Sequence, residues 1–109
     1  MKIAIATDES VVSPHFGHAS GYEVVEIEDG TVTSREFVES PGHSPGVLPA
    51  LLRDHGVSIV IAGGMGPKAI DAFCNFGIDV YVGVEGPIDQ VIEDWIAKKL
   101  TPGANVCHH

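Results

Sequence analysis

The chain has 109 residues, with 15 acidic side chains against six basic ones and six histidines, for a formal charge of −9. That length makes one domain with room for a core, and the acidic excess argues against nucleic-acid and anionic-lipid partners, which call for Lys and Arg. No apolar run reaches the ~18 residues of a membrane span, the first apolar stretch is shorter than a signal-peptide core, and two cysteines make no disulfide framework. A soluble, cytoplasmic, acidic domain is expected.

Residues 2–7 are almost all apolar and read as a buried first strand. A polar loop follows over 8–20, opening with Asp8-Glu9-Ser10 and holding Pro14-His15-Phe16-Gly17-His18. Residues 21–28 and 31–39 are β-rich runs joined by Asp29-Gly30, a two-residue hairpin signal. Their glutamates are expected on a solvated face. Residues 41–46, with Pro41, Gly42, His43 and Pro45, form a second loop.

The apolar period then changes from two to 3.6. Val47, Leu48, Leu51 and Leu52 fall on one helical face, with Pro49 in the first turn and Gly56 as the stop. Residues 58–62 are a continuous apolar strand of the kind covered on both faces. Gly63-Gly64-Met65-Gly66-Pro67 turns into a helix carrying Ile70, Phe73 and Cys74 inward, and residues 78–83 form another buried strand. After Gly86-Pro87, a third helix has an apolar stripe of Ile88, Val91, Ile92, Trp95 and Ile96. Residues 1–100 are thus read as one α/β domain and 101–109 as a tail ending Cys107-His108-His109. The order β-β-β-α-β-α-β-α predicts a five-stranded mixed sheet flanked by helices, with the second strand antiparallel to the other four. That is the strand pattern of an RNase-H-like core.

Ligands of open sheets bind beyond the carboxyl ends of the parallel strands. The connections leaving those ends carry His15, His18, His43 and the Gly63–Gly66 turn, and the tail is long enough to bring Cys107 and His108 to them. Imidazole and thiolate suit soft or borderline metals and metal–sulfur clusters. His55, at a helix end, is read as structural, and Cys74 as a small buried hydrophobe. The glycine turn is neither a Walker loop nor a dinucleotide fingerprint; it serves either close strand–helix packing or an anion held by bare N–H groups. Met65 reads equally as a soft sulfur contact or a cover for the core. Asp8 and Glu9 are tested as carboxylates of a divalent-metal hydrolase, but the edge supplies imidazoles where further acids are needed. Asp8 is better read as capping the turn.

Val12-Ser13-Pro14-His15-Phe16-Gly17-His18-Ala19 resembles the opening motif of the dinitrogenase iron–molybdenum cofactor biosynthesis family, which includes NifX and the C-terminal domain of NifB. Ala62-Gly63-Gly64-Met65-Gly66-Pro67-Lys68-Ala69 resembles its glycine turn, and Phe76-Gly77-Ile78-Asp79-Val80-Tyr81 its following strand. Gly103-Ala104-Asn105-Val106-Cys107-His108 resembles the ending of small stand-alone members. The resemblance implies an RNase-H-like fold and carriage of an iron–sulfur or molybdenum/iron–sulfur cluster between assembly or acceptor proteins, without catalytic turnover. The radical-chemistry domain of NifB has no counterpart in these residues.

The leading reading is a cluster carrier that uses His15, His18, His43, Cys107 and His108 as metal ligands. Phe16, Gly17, Gly64, Met65 and Gly66 are expected to contact the cluster. A small-molecule or nucleotide-binding regulatory module built on the glycine turn is the alternative, and a hydrolase centred on Asp8 and Glu9 the third.

Overall fold

A computed structural model describes residues 1–14, 16, 19–40 and 47–97. Four strands come first: β1 (Lys2–Asp8), β2 (Val11–Val12), β3 (Gly21–Glu28) and β4 (Thr31–Glu39). They are followed by α1 (Val47–Asp54), β5 (Ile59–Ile61), α2 (Pro67–Asn75), β6 (Asp79–Tyr81) and α3 (Ile88–Ile96). The sheet runs β4-β3-β1-β5-β6, with β2 paired to β1 off this path. β3 is antiparallel to both its neighbours, while β5 is parallel to β1 and β6 to β5. The expected directions therefore hold.

Among the described residues the sheet has six strands where the sequence reading expected five. The additional one, β2, is two residues long and folds back on β1 through Glu9 and Ser10, both at positive φ. Such a turn prefers Gly, Asn or Asp, and Glu-Ser carries no such signal. The β3–β4 hairpin turns where expected, at Asp29 and Gly30, with φ +51° and +76°.

Alternation along β1 separates two cores. Ala4 and Ala6 join Tyr22, Val24, Val60 and Val80 under α1 and α2, which contribute Leu48, Leu52 and Phe73. Ile3 and Ile5 join Val25, Ile27, Ile59 and Ile61 under α3, which contributes Ile88, Val91 and Ile92. β1 is therefore apolar at nearly every position because both its faces are covered. β4, at the sheet's edge, is exposed along most of its length. The glutamates of β3 do not share one solvated face: Glu23 and Glu26 point to opposite sides, each part-buried, with Glu23 paired to Arg35 and Glu26 to the N-terminal amine.

Tyr22 is 2% exposed, and this burial pushes its phenol pKa from 10.0 up to about 12, against the opposing hydrogen bond of Ser40. A raised pKa means the folded state holds the proton more tightly. Its contribution is whole below pH 10 and is lost as pH rises from 10 toward 12. The unfolding free energy from denaturant titrations should fall by up to about 1.4 kcal/mol per pH unit in that window, and Tyr22→Phe should flatten the fall. An unchanged slope in the variant would refute this assignment.

Candidate functional site

The carboxyl ends of β1, β4, β5 and β6 lie along one edge. There Asp8, the last residue of β1, gathers the loop that follows. Its carboxylate accepts from the Ser20 N–H (3.2 Å), from the Ser20 hydroxyl, and more weakly from the buried Ser13 hydroxyl (3.5 Å). One charged acceptor thus holds both shoulders of the segment carrying Phe16. Charge-assisted bonds of this kind outweigh neutral ones. Phe16 itself is 8% exposed, its ring 5.4 Å from Tyr22 and 5.3 Å, edge-on, from Phe73.

The same loop is laced to the glycine turn through main-chain bonds. Ser13 N–H donates to Ala6 O, Gly63 N–H to Ser13 O, Phe16 N–H to Gly64 O, and Gly83 N–H to Gly63 O, at 2.8–3.0 Å. This approach needs glycine. A Cβ at residue 63 would stand 2.7 Å from Ser13 O and 2.8 Å from Pro14 Cα, and one at 64 would stand 2.8 Å from Pro14 O. Gly66 is different: a Cβ there would meet nothing within 4 Å.

Beyond these bonds the turn keeps donors in hand. The N–H groups of Gly64, Met65 and Gly66 donate to no acceptor among the described residues. They lead into α2, whose N-cap Gly66 supplies no side-chain cap and whose first residue is Pro67. Unpaired N–H groups at a helix start favour anions. Lys68, exposed in the first turn, adds a positive charge beside them.

The model of the family described as "Dinitrogenase iron-molybdenum cofactor" matches residues 1–98. The chain belongs to that family. It is 37% identical over 105 residues to the uncharacterised protein MJ0580 of Methanocaldococcus jannaschii, covering 92% of this chain and 89% of that one. The crystal structure of PH0822 superposes with a TM-score of 0.87 at 41% identity, over 95% of this chain and 97% of the other. The apo form of the orange protein of Desulfovibrio gigas does so at 0.76 and 25%, over 95% and 93%.

Within this member of the dinitrogenase iron–molybdenum cofactor family, the expected site residues divide in two. His15, Gly17, His18, His43, Cys107 and His108 lie outside the described residues. Phe16 and the Gly64–Gly66 turn are brought together, joined by the bond from Phe16 N–H to Gly64 O. The Phe16 ring belongs to the core rather than to an open contact surface, and Met65 is half-buried against the same cluster. His55 closes α1: its N–H donates to Leu51 O and Leu52 O, and its Nδ1 lies 3.8 Å from Glu36. Cys74 packs against the α1/α2 core, as expected of an inward-facing residue, but is not the simple buried hydrophobe of the sequence reading. It is half-buried and held in a disulfide. Among the described residues no three His, Cys, Asp or Glu side chains are grouped to hold a metal ion, so Asp8 and Glu9 find no further acid there. Asp8 holds the loop, in keeping with its reading as a turn cap, but the reach of that carboxylate to both Ser13 and Ser20 has no signal in the sequence beyond an acid leaving a strand and serines after it.

Two substitutions separate the roles of the glycines. Gly63→Ala should destabilise the protein by about 1–3 kcal/mol, since only backbone can yield to the new methyl. Gly66→Ala, at φ −72°, should change stability by less than about 0.5 kcal/mol in the same denaturant titration. Asp8→Ala should cost about 1–3 kcal/mol and accelerate hydrogen exchange at the Ser20 amide, read by NMR.

Proposed function

We propose that the chain binds a metal–sulfur cluster as cargo and passes it between assembly and acceptor proteins, without turnover of its own. The observation that carries this reading is the laced edge, where Phe16 is bonded to a glycine turn with three N–H groups that have no acceptor among the described residues. Membership of a family described by the iron–molybdenum cofactor supports it. So does the bond from Ser40 N–H to Ser20 O (3.1 Å), which sets the end of β4, before the His43 segment, beside the end of the His15 segment.

In this reading His15, His18, His43, Cys107 and His108 supply the metal ligands, and Gly64, Met65 and Gly66 donate N–H groups to cluster sulfides. Phe16 acts through position: its buried ring fixes the chain on either side of His15. Ligands on segments that the sequence reads as loops suit reversible loading. Iron–sulfur or molybdenum/iron–sulfur cargo matches imidazole and thiolate donors. No helix among the described residues is long and apolar enough to cross a membrane.

Anaerobic reconstitution with iron, sulfide and molybdate, on protein first reduced with dithiol, tests the proposal through metal and sulfide content and the visible spectrum. Uptake should be stoichiometric. It should fall by an order of magnitude in His15→Ala and Cys107→Ala, and weaken below about pH 6 as imidazoles protonate. Full uptake in both variants would overturn the ligand set. Tight nucleotide binding without metal would favour a regulatory module on the glycine turn.

A further inference from the structure

On the α3 side of the same edge lies a second recess, of about 570 Å³, within the ~300–1,000 Å³ span of small-molecule sites. It is lined by Thr7, Glu9 and Ser10 from the end of β1 and its turn, by Glu23, Arg35 and Phe37 from the hairpin, and by the start of α3. We propose that this cleft binds a small aliphatic polyamine.

The aromatic wall is the first reason. Phe37 is 55% exposed, although a ring of that size ordinarily seeks the core. Its ring reaches over Gly21, where a Cβ would stand 2.7 Å from Phe37 Cε1. The missing side chain lets the ring settle against the sheet while it still lines the cleft. An exposed aromatic ring attracts ammonium groups and packs against methylenes.

Charge is the second. Glu9, Glu23 and Asp89 set three carboxylates around the cleft against the single guanidinium of Arg35. Arg35 bridges Glu23 at 3.0 Å and Asp89 at 2.6 Å, and these partners raise its pKa, so it stays charged. It serves as a tethered example of the extended organic cation that the site accepts. Glu9 has no ion-pair partner among the described residues.

Spacing is the third. These acids come from β1's turn, β3 and α3, and they do not converge on one point: no three of the described acids and histidines are grouped for a metal ion. A cation whose charges are spread along a chain meets separated carboxylates better than a point charge does. One ammonium pairs with Glu9, a second shares Glu23 with Arg35, and the methylenes between them cross Phe37. The hydroxyls of Ser10 and Ser20 are at hand for the remaining N–H groups.

Spermidine is the probe, titrated calorimetrically into the full chain at about 0.15 M salt, where diffuse attraction to an acidic surface is screened. Saturable one-to-one binding is expected, with amide shifts centred on Thr7, Ser10, Ser20 and Phe37. Glu9→Gln and Phe37→Ala, both at exposed positions, should weaken it by about fivefold or more. Glu93→Gln, exposed on α3 but off the cleft, should change it by less than about twofold. Absence of saturation, shifts centred elsewhere, or equal weakening by Glu93→Gln would overturn the proposal. Thermal melts of the variants exclude unfolding as the cause of any loss.

Discussion

The main chain of Ser13 and Pro14 lies against the main chain of Gly63 and Gly64 at a separation that no Cβ would permit. Much of the carboxyl edge follows from that approach. Because these backbones touch, they exchange hydrogen bonds, Gly63 N–H donating to Ser13 O and Phe16 N–H to Gly64 O. Phe16 is then carried over Phe73 and Tyr22, which plugs the open end of the α1/α2 core. The turn uses some of its polar groups on the loop and leaves the N–H groups of Gly64, Met65 and Gly66 without an acceptor among the described residues. Glycine here gives close approach on one side and open donors on the other.

Asp8 completes the arrangement from the other flank. β1 ends in a carboxylate that takes Ser20 by both N–H and hydroxyl, so the loop leaves and returns to the same strand end. The sheet then divides the edge into two chemical environments. Toward α2 stand Lys68 and N–H groups that meet no acceptor among the described residues, a setting that favours an anion. Toward α3 stand Glu9, Glu23 and Asp89 with Arg35 and an open aromatic ring, suited to an organic cation. A formal charge of −9 describes the whole surface and neither of these places.

Local pattern made most of the architecture legible. The β3–β4 hairpin appears at residues 21–28 and 31–39 because alternation and Asp29-Gly30 report the same geometry. The central strands were recognisable because continuous apolar runs are what two-sided burial requires, although the paired segments, 59–61 and 79–81, are shorter than the runs. β2 was missed since Glu9 and Ser10 adopt positive φ without a residue that favours it. Their strain is borne by tertiary bonds, from Ile88 N–H to Ser10 O and from Val12 N–H to Gly86 O. Cys74 was misjudged because helical periodicity reports which way a side chain points, not what it is bonded to.

The sequence by itself determined every element but β2, their order, the strand directions and the family, since periodicity, turn chemistry and short motifs are all written within a few residues. It also marked one edge as the place for chemistry, through the parallel strands' carboxyl ends. Only the tertiary structure decided that Phe16 is an anchor, that Asp8 clamps Ser20 twelve residues on, and that Arg35 reaches Asp89 fifty-four residues away. Nor could the local pattern show that Gly21 is bare to receive Phe37. These depend on where separate segments come to rest. That is set by packing the whole sheet between its helices, so no window of sequence contains it.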